Sequence, residues 1–328
     1  MLKIGNLILK HGVMLGPMAG FSDRGMRVVC HEAGAEYSVT EMISAKAVVY
    51  GDKKTRSLAK ILPDEGRVAL QLFGSEPDVM ARAAEVMSHP VDGGTAPVAI
   101  DINMGCPVNK VFSNGEGSAL MRSPELIEKI VRAVAGATDT PCTVKIRAGV
   151  DSEHKNAVEC ALAAESGGAV AICVHGRTRV EMYSGKADRK IIKSVKQALH
   201  IPVIANGDIC SAADAQDMLR ETGADGIMVA RGAIGNPFIF SEIISLLEGK
   251  TPGTVDIEER VRVALRQLSI AVSEKGEAVA VRESRKQIAL YLRAFRGSAA
   301  LRARINLAES YDDVARAMTA ALENYEPM

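Results

Sequence analysis

The sequence predicts an α/β fold: a (β/α)8 TIM barrel followed by a C-terminal α-helical domain. Short apolar runs alternate with amphipathic stretches eight times between Val13 and Val229. Polar residues and glycines gather where those runs end, and beyond Pro252-Gly253 the alternation gives way to helical spacing alone.

The strand candidates, in order, are Val13 to Met18, Ala35 to Thr40, Val68 to Phe73, Val98 to Ile102, Cys142 to Ile146, Ala169 to Val174, Pro202 to Ala205 and Gly226 to Val229. Between them, apolar residues recur at helical spacing over Arg24 to Glu32, Pro77 to Met87, Pro124 to Val134, His154 to Glu165, Arg189 to Ala198 and Ala212 to Arg220. The segment from Ile43 to Leu58 is ambiguous. Strand alternating with helix implies parallel strands joined by right-handed crossovers, and eight such units favour a closed barrel over an open sheet. An open doubly wound sheet would carry a Gly-rich dinucleotide fingerprint after its first strand, where this chain has Pro17-Met18-Ala19-Gly20. The helical domain is read as Ile257 to Glu274, Ala280 to Phe295 and Tyr311 to Glu323, giving domains of 1–252 and 253–328.

A chain of 328 residues that is 47% hydrophobic can bury a large core. No leader pattern opens it and no apolar run approaches the roughly 20 residues of a spanning helix, so a cytoplasmic protein with no membrane partner is expected. The six cysteines are scattered without C-x-x-C pairs. That spacing speaks against a metal site or a disulfide framework. Lys plus Arg and Asp plus Glu both total 40, so only a local patch can attract nucleic acid.

In such a barrel the reacting groups sit where strands run out into βα loops. The fourth run ends in Asp101-Ile102-Asn103-Met104-Gly105-Cys106-Pro107, where Gly105 and Pro107 shape a turn that presents the Cys106 thiol. A lone cysteine is more often a core filler, and it is the company at the other strand ends that favours function. The third run contributes Gln71. The fifth carries Lys145 and Arg147, which alternation points the same way as Thr143. An inward ammonium needs an anionic partner, either a bound cofactor or a carboxylate such as Asp101. The sixth run ends in His175-Gly176-Arg177. Asn206-Gly207-Asp208 and Ala230-Arg231-Gly232, beside a helix start near Pro237, suggest a backbone cradle for a phosphate, although Asn-Gly-Asp is also an ordinary turn.

Taken together, these stretches resemble the motifs of the tRNA-dihydrouridine synthases. They are Gly16 to Asp23, Asp101 to Pro107, Val144 to Arg147, Val174 to Arg179, Asn206 to Ile209 and Arg231 to Pro237, in the family's order. Arg285-Lys286-Gln287 through Tyr291-Leu292 and Arg302 to Ser310 resemble the bacterial B-type branch. The resemblance implies an FMN enzyme that uses NADPH or NADH to reduce the C5–C6 bond of particular uridines in tRNA. It implies Cys106 as the proton donor to C5. It also implies that Pro17, Met18, Ala19, Gln71, Lys145, Asn206, Gly207, Asp208, Ala230 and Arg231 hold FMN, with His175 beside the flavin. Asn103, Arg147 and Tyr183 would grip the extruded uracil, and a monomer is expected. A cysteine near its ordinary pKa of roughly 8.5 stays mostly protonated at pH 7, which suits an acid that needs no activating base.

The RNA grip has a separate sequence signal. Arg282, Arg285, Lys286, Arg293, Arg296, Arg302 and Arg304 are opposed in their stretch only by Glu283, with Tyr291 and Phe295 available for stacking. A solvated helix face would look similar. Position 230 is Ala where the family often has Gly, and Val91 to Pro97 reads as an extended loop at the barrel's N-terminal end. Two other readings are an FMN barrel acting on a free pyrimidine and a tRNA chaperone that keeps the fold without catalysis. The arginine-rich helices speak against the first, and the intact Cys106, Lys145 and His175 speak against the second.

Overall fold

In the computed structural model, which describes residues 1–293 and 297–323, parallel strands close into a barrel. The chain opens with a hairpin of β1 (Leu2–Ile4) and β2 (Leu7–Leu9). Among the described residues the barrel strands are β3 (Val13–Leu15), β4 (Tyr37–Val39), β6 (Val68–Phe73), β7 (Ile100–Met104), β8 (Cys142–Arg147), β9 (Ala171–His175), β10 (Val203–Asn206) and β11 (Gly226–Val229). The two-residue β5 (Ile43–Ser44) extends the far end of β6, and β11 pairs with β3 to close the ring.

Two-residue alternation sorts the side chains. Ile100, Ile102, Met104, Val144 and Ile146 face outward into the core shared with the helices, while Met14, Tyr37, Ala69, Ala171, Cys173 and Met228 fill the barrel's interior. The hairpin plugs the N-terminal end with Leu2, Ile4 and Leu9, each fully buried and each worth about 1.5–3 kcal/mol. With that end sealed, the polar ends of the strands open onto a cavity at the other.

The outer helices follow the expected periodicity: α1 (Arg24–Glu32), α4 (Pro77–Met87), α6 (Pro124–Ala137), α7 (Ala157–Gly167), α8 (Arg189–Ala198) and α9 (Ala212–Thr222), then α10 (Ile239–Leu247). Asp23, Ser123, Asp188 and Ser211 cap α1, α6, α8 and α9 by accepting first-turn amides, which stabilises each start by about 1 kcal/mol. The ambiguous 43–58 segment forms β5, then α2 (Ala45–Val49) and α3 (Lys53–Ala59). A short α5 (Asn109–Ser113) follows the Cys106 turn.

The C-terminal helices are α11 (Ile257–Lys275), α12 (Glu277–Ile288), α13 (Ser298–Leu307) and α14 (Tyr311–Glu323). Their own apolar cluster includes Val29 and Phe238 from the barrel side. A Cβ at Gly25 of α1 would lie 2.6 Å from the Gln267 carbonyl oxygen, so α11 approaches α1 as closely as a glycine permits. The helix expected from Ala280 to Phe295 is shorter: α12 ends at Ile288, and a 3-10 turn over Ala289–Leu292 follows it. Helix α13 was not foreseen. No described helix is long and apolar enough to cross a membrane.

Candidate active site

A cavity of about 450 Å³ opens at the C-terminal end of the barrel, within the roughly 300–1,000 Å³ typical of small-molecule sites. Each expected cofactor and uracil residue on the barrel lines it. Pro17, Met18 and Ala19 come from the loop after β3, Gln71 from β6, and Asn103 and Cys106 from β7 and its turn. Lys145 and Arg147 rise from β8, and His175 and Tyr183 from β9 and its loop. Asn206, Gly207 and Asp208 follow β10, and Ala230 and Arg231 follow β11. The ends of separate strands have been gathered into one rim, as the barrel's geometry demands.

The Cys106 turn is fixed from inside the barrel. Thr143 Oγ1 donates to Asp101 Oδ1 at 2.6 Å and Gln71 Nε2 donates to Asp101 Oδ2 at 2.7 Å. Asn103 Nδ2 donates to Gln71 Oε1 at 2.9 Å, and Asn103 Oδ1 accepts the N–H groups of Gly105 at 3.1 Å and Cys106 at 2.9 Å. Ser118 Oγ donates to the Cys106 carbonyl at 2.7 Å. The sulfur therefore stands on a turn whose backbone groups are tied at both ends. Burial pushes the Cys106 thiol up, with the Val108 N–H and Arg147 acting the other way.

Lys145 does not pair with Asp101, whose carboxylate takes the two neutral donors above. The ammonium donates to Asn206 Oδ1 at 3.1 Å, and among the described residues no carboxylate forms an ion pair with it. Burial pushes its pKa down. His175 is pushed down to about 2, first by burial and then by Lys145 and Arg147, so the ring is neutral at pH 7. Asn206 is oriented by donating Nδ2 to the Met228 carbonyl at 2.7 Å.

The phosphate end differs from expectation. Gly207 has φ +128, and a Cβ there would lie 2.6 Å from the Ala187 Cβ and 3.0 Å from the His175 ring. A Cβ at Gly232 would lie 2.2 Å from the Ile209 carbonyl oxygen, so the loops after β10 and β11 meet backbone to backbone. The cradle is built by these loops and the 3-10 turn Arg231–Ala233. The helix start near Pro237 is absent from the cavity wall, because α10 begins only at Ile239 and Gly235 packs against Leu290. The Asp208 carboxylate is occupied: Arg177 Nη2 donates to it at 2.8 Å, the Ala187 N–H at 2.8 Å and Arg231 Nη2 at 3.2 Å.

Arg147 is spent largely on the protein. Its Nε donates to the Gly105 carbonyl at 2.7 Å and its Nη1 to those of Thr178 at 2.9 Å and Met182 at 3.1 Å. Arg285 and Lys286 do not line the cavity. Arg285 Nε donates to the Ala308 carbonyl, at the end of α13, at 3.1 Å. Lys286 places its Nζ 4.2 Å from the centre of the Phe21 ring, and Phe21 does line the cavity. Arg296 and Phe295 lie outside the described residues, Tyr291 is buried with its hydroxyl donating to Gln267, and Arg282, Arg293, Arg302 and Arg304 are exposed.

Sequence reading missed Phe21 and Ser118 as parts of the site, and it named Arg177 at the sixth strand end without giving it a role. Phe21 sits within the first motif, and Arg177 lies two residues past the end of β9. Ser118 carried no signal. No group of three His, Cys, Asp or Glu side chains among the described residues is placed to hold a metal ion.

A family model described as dihydrouridine synthase (Dus) matches residues 14–326. The chain is 41% identical over 292 residues to tRNA-dihydrouridine synthase B of Shewanella oneidensis, covering 89% of each chain. It is 40% identical over 325 residues to tRNA-dihydrouridine synthase B of Vibrio vulnificus, covering 99% of this chain and 98% of the relative. Among solved structures, histamine dehydrogenase from Rhizobium sp. 4-9 superposes with a TM-score of 0.54 at 14% identity, over 82% of this chain and 50% of that one, a likeness of fold alone.

Proposed function

The chain belongs to the dihydrouridine synthase family, and from that premise we propose that its cavity reduces the C5–C6 bond of a uridine extruded from tRNA, with FMN resident and NADPH or NADH as reductant. One observation carries the assignment of residues: a buried, protonated thiol and an ammonium without a carboxylate partner line the same cavity.

The residues suit a flavin mononucleotide. Lys145 lacks the anion that an inward cation needs, and the close approach of Gly232 to the Ile209 carbonyl leaves backbone rather than a side chain there at the phosphate end. Pro17, Met18, Ala19, Gln71, Asn206, Ala230 and Arg231 would complete that site, with the Asp208 carboxylate serving to hold Arg231 and Arg177 in place. Bound there, the flavin supplies the two-electron reduction.

The protein supplies the proton and the positioning. Burial keeps the Cys106 proton in place at rest, and the Val108 N–H and Arg147 charge offset the thiolate left once it is given to C5. Asn103 has committed its oxygen to the Cys106 turn, so its main role is to aim the sulfur. Arg147 retains Nη2 for a uracil carbonyl, and Tyr183 borders the mouth with Arg231 4.9 Å from its ring centre. We take 253–328 as the tRNA-binding unit, with Lys286 and the exposed Arg282, Arg302 and Arg304 facing the phosphates.

The flavin-loaded enzyme, given unmodified tRNA and NADPH, should form dihydrouridine, while free uridine should remain unreduced. Reduction of free uridine at a comparable rate would favour a small-molecule reductase. A protein that stays colourless when supplied with FMN would remove the flavin reading.

A further inference from the structure

Four large apolar side chains stand in water on two loops at or beside the cavity mouth, and of these Val108 and Tyr183 line the cavity. Val108, Val180, Met182 and Tyr183 are 50%, 62%, 44% and 55% exposed, and they stand on two loops, one after β7 and one after β9. Buried or braced cations stitch those loops together. The Arg147 guanidinium bonds to the carbonyls of both Gly105 and Met182. Arg179 Nη2 donates to Asn109 Oδ1 at 2.6 Å, and its guanidinium stacks 3.8 Å from the centre of the Phe112 ring.

Met182 also has φ +49, a left-handed conformation that a long side chain rarely adopts. Arg147 holds the carbonyl of that same residue, so the strained backbone is pinned by a cation anchored in the barrel. Its neighbour Tyr183 forms part of the cavity wall. The molecule thus keeps an apolar ridge in water beside the mouth, with Arg179 on the same loop.

We propose that this ridge, Met182 included, is a wedge that enters the RNA stack where the target uridine leaves it. The inference rests on the tRNA reading above. Extruding a base opens a gap between its neighbours, and apolar side chains inserted between base steps are a general means of holding such a gap open. The arrangement fits one event: the base enters the cavity as the ridge takes its former place.

The test uses flavin-loaded enzyme and a tRNA carrying 2-aminopurine next to the uridine that the wild type reduces. Met182→Gly removes the side chain and tolerates φ +49 freely, so the fold is not threatened, and Met182→Leu restores an apolar side chain. Met182→Gly should bind tRNA within about threefold of wild type yet form dihydrouridine at least about tenfold more slowly in a single turnover, and lose the 2-aminopurine unstacking signal. Met182→Leu should recover both. Wild-type rate and signal in Met182→Gly, or an equal loss in Met182→Leu, would overturn the wedge. If the wild type itself leaves tRNA unreduced, the tRNA reading fails instead.

Discussion

Asn103 Oδ1 accepts the backbone N–H of Cys106 at 2.9 Å, so the penultimate residue of β7 also aims the thiol beyond it. The same amide reaches back through Gln71 to the buried Asp101. Strand interior and reactive turn form one hydrogen-bonded unit.

Replacing Asn103 with Ala removes an acceptor from two amides and a donor from Gln71. Leaving buried groups unpaired should cost about 1–3 kcal/mol of stability in urea unfolding. The misaimed thiol should slow single-turnover reduction by at least about tenfold with flavin retained. A normal rate would mean that Gly105 and Pro107 shape the turn unaided.

Replacing Lys145 with Met removes the cation that offsets charge gained on reduction. The midpoint potential of the bound flavin should become more negative by on the order of 30 mV or more, and flavin should bind more weakly. Spectroelectrochemical titration measures the shift, and an unchanged potential would leave Lys145 with a structural role.

His175 is held down to about 2 in the folded protein by burial and the cations around it, against roughly 6.5 in an unfolded chain. Between those values the unfolded chain binds a proton that the folded one refuses, so stability falls as pH drops below about 6.5, by at most about 1.4 kcal/mol per pH unit. Urea unfolding of the flavin-free wild type and His175→Gln at pH 7 and pH 5 should show the gap moving toward the variant at pH 5. A gap independent of pH would show that His175 keeps an ordinary pKa.

Arg285 and Lys286 are adjacent in sequence but should separate in experiment. Lys286→Ala should weaken tRNA binding and lower the salt slope by about one, because its ammonium stands exposed above Phe21. Arg285→Ala should leave that slope alone and lower stability by about 1 kcal/mol, since its guanidinium is committed to the Ala308 carbonyl. Binding measured across a salt series, with unfolding in parallel, separates the two effects.

Val68 to Phe73 and Gly226 to Val229 were legible to the residue because each is an apolar run bounded by turn formers. Helices Arg24 to Glu32 and Arg189 to Ala198, each opened by a capping aspartate, were equally plain. The opening hairpin was missed because its strands are three residues each, too short for a period to register, though Gly5-Asn6 marked the turn. The division of 280–295 and the start of α13 escaped because both depend on how the helices pack rather than on spacing. At the site, strand-end positions revealed which residues share the rim. They did not reveal that Arg147 and Asp208 are spent on the protein itself, since such partners come from loops distant in sequence.

The most direct test is Cys106→Ala, loaded with flavin, reduced in advance and mixed with unmodified tRNA in a single turnover. Flavin binding, flavin reduction by NADPH and tRNA affinity should persist while dihydrouridine formation falls by on the order of 10²–10⁴. A near-normal rate in that variant would contradict the assignment of the proton to this sulfur.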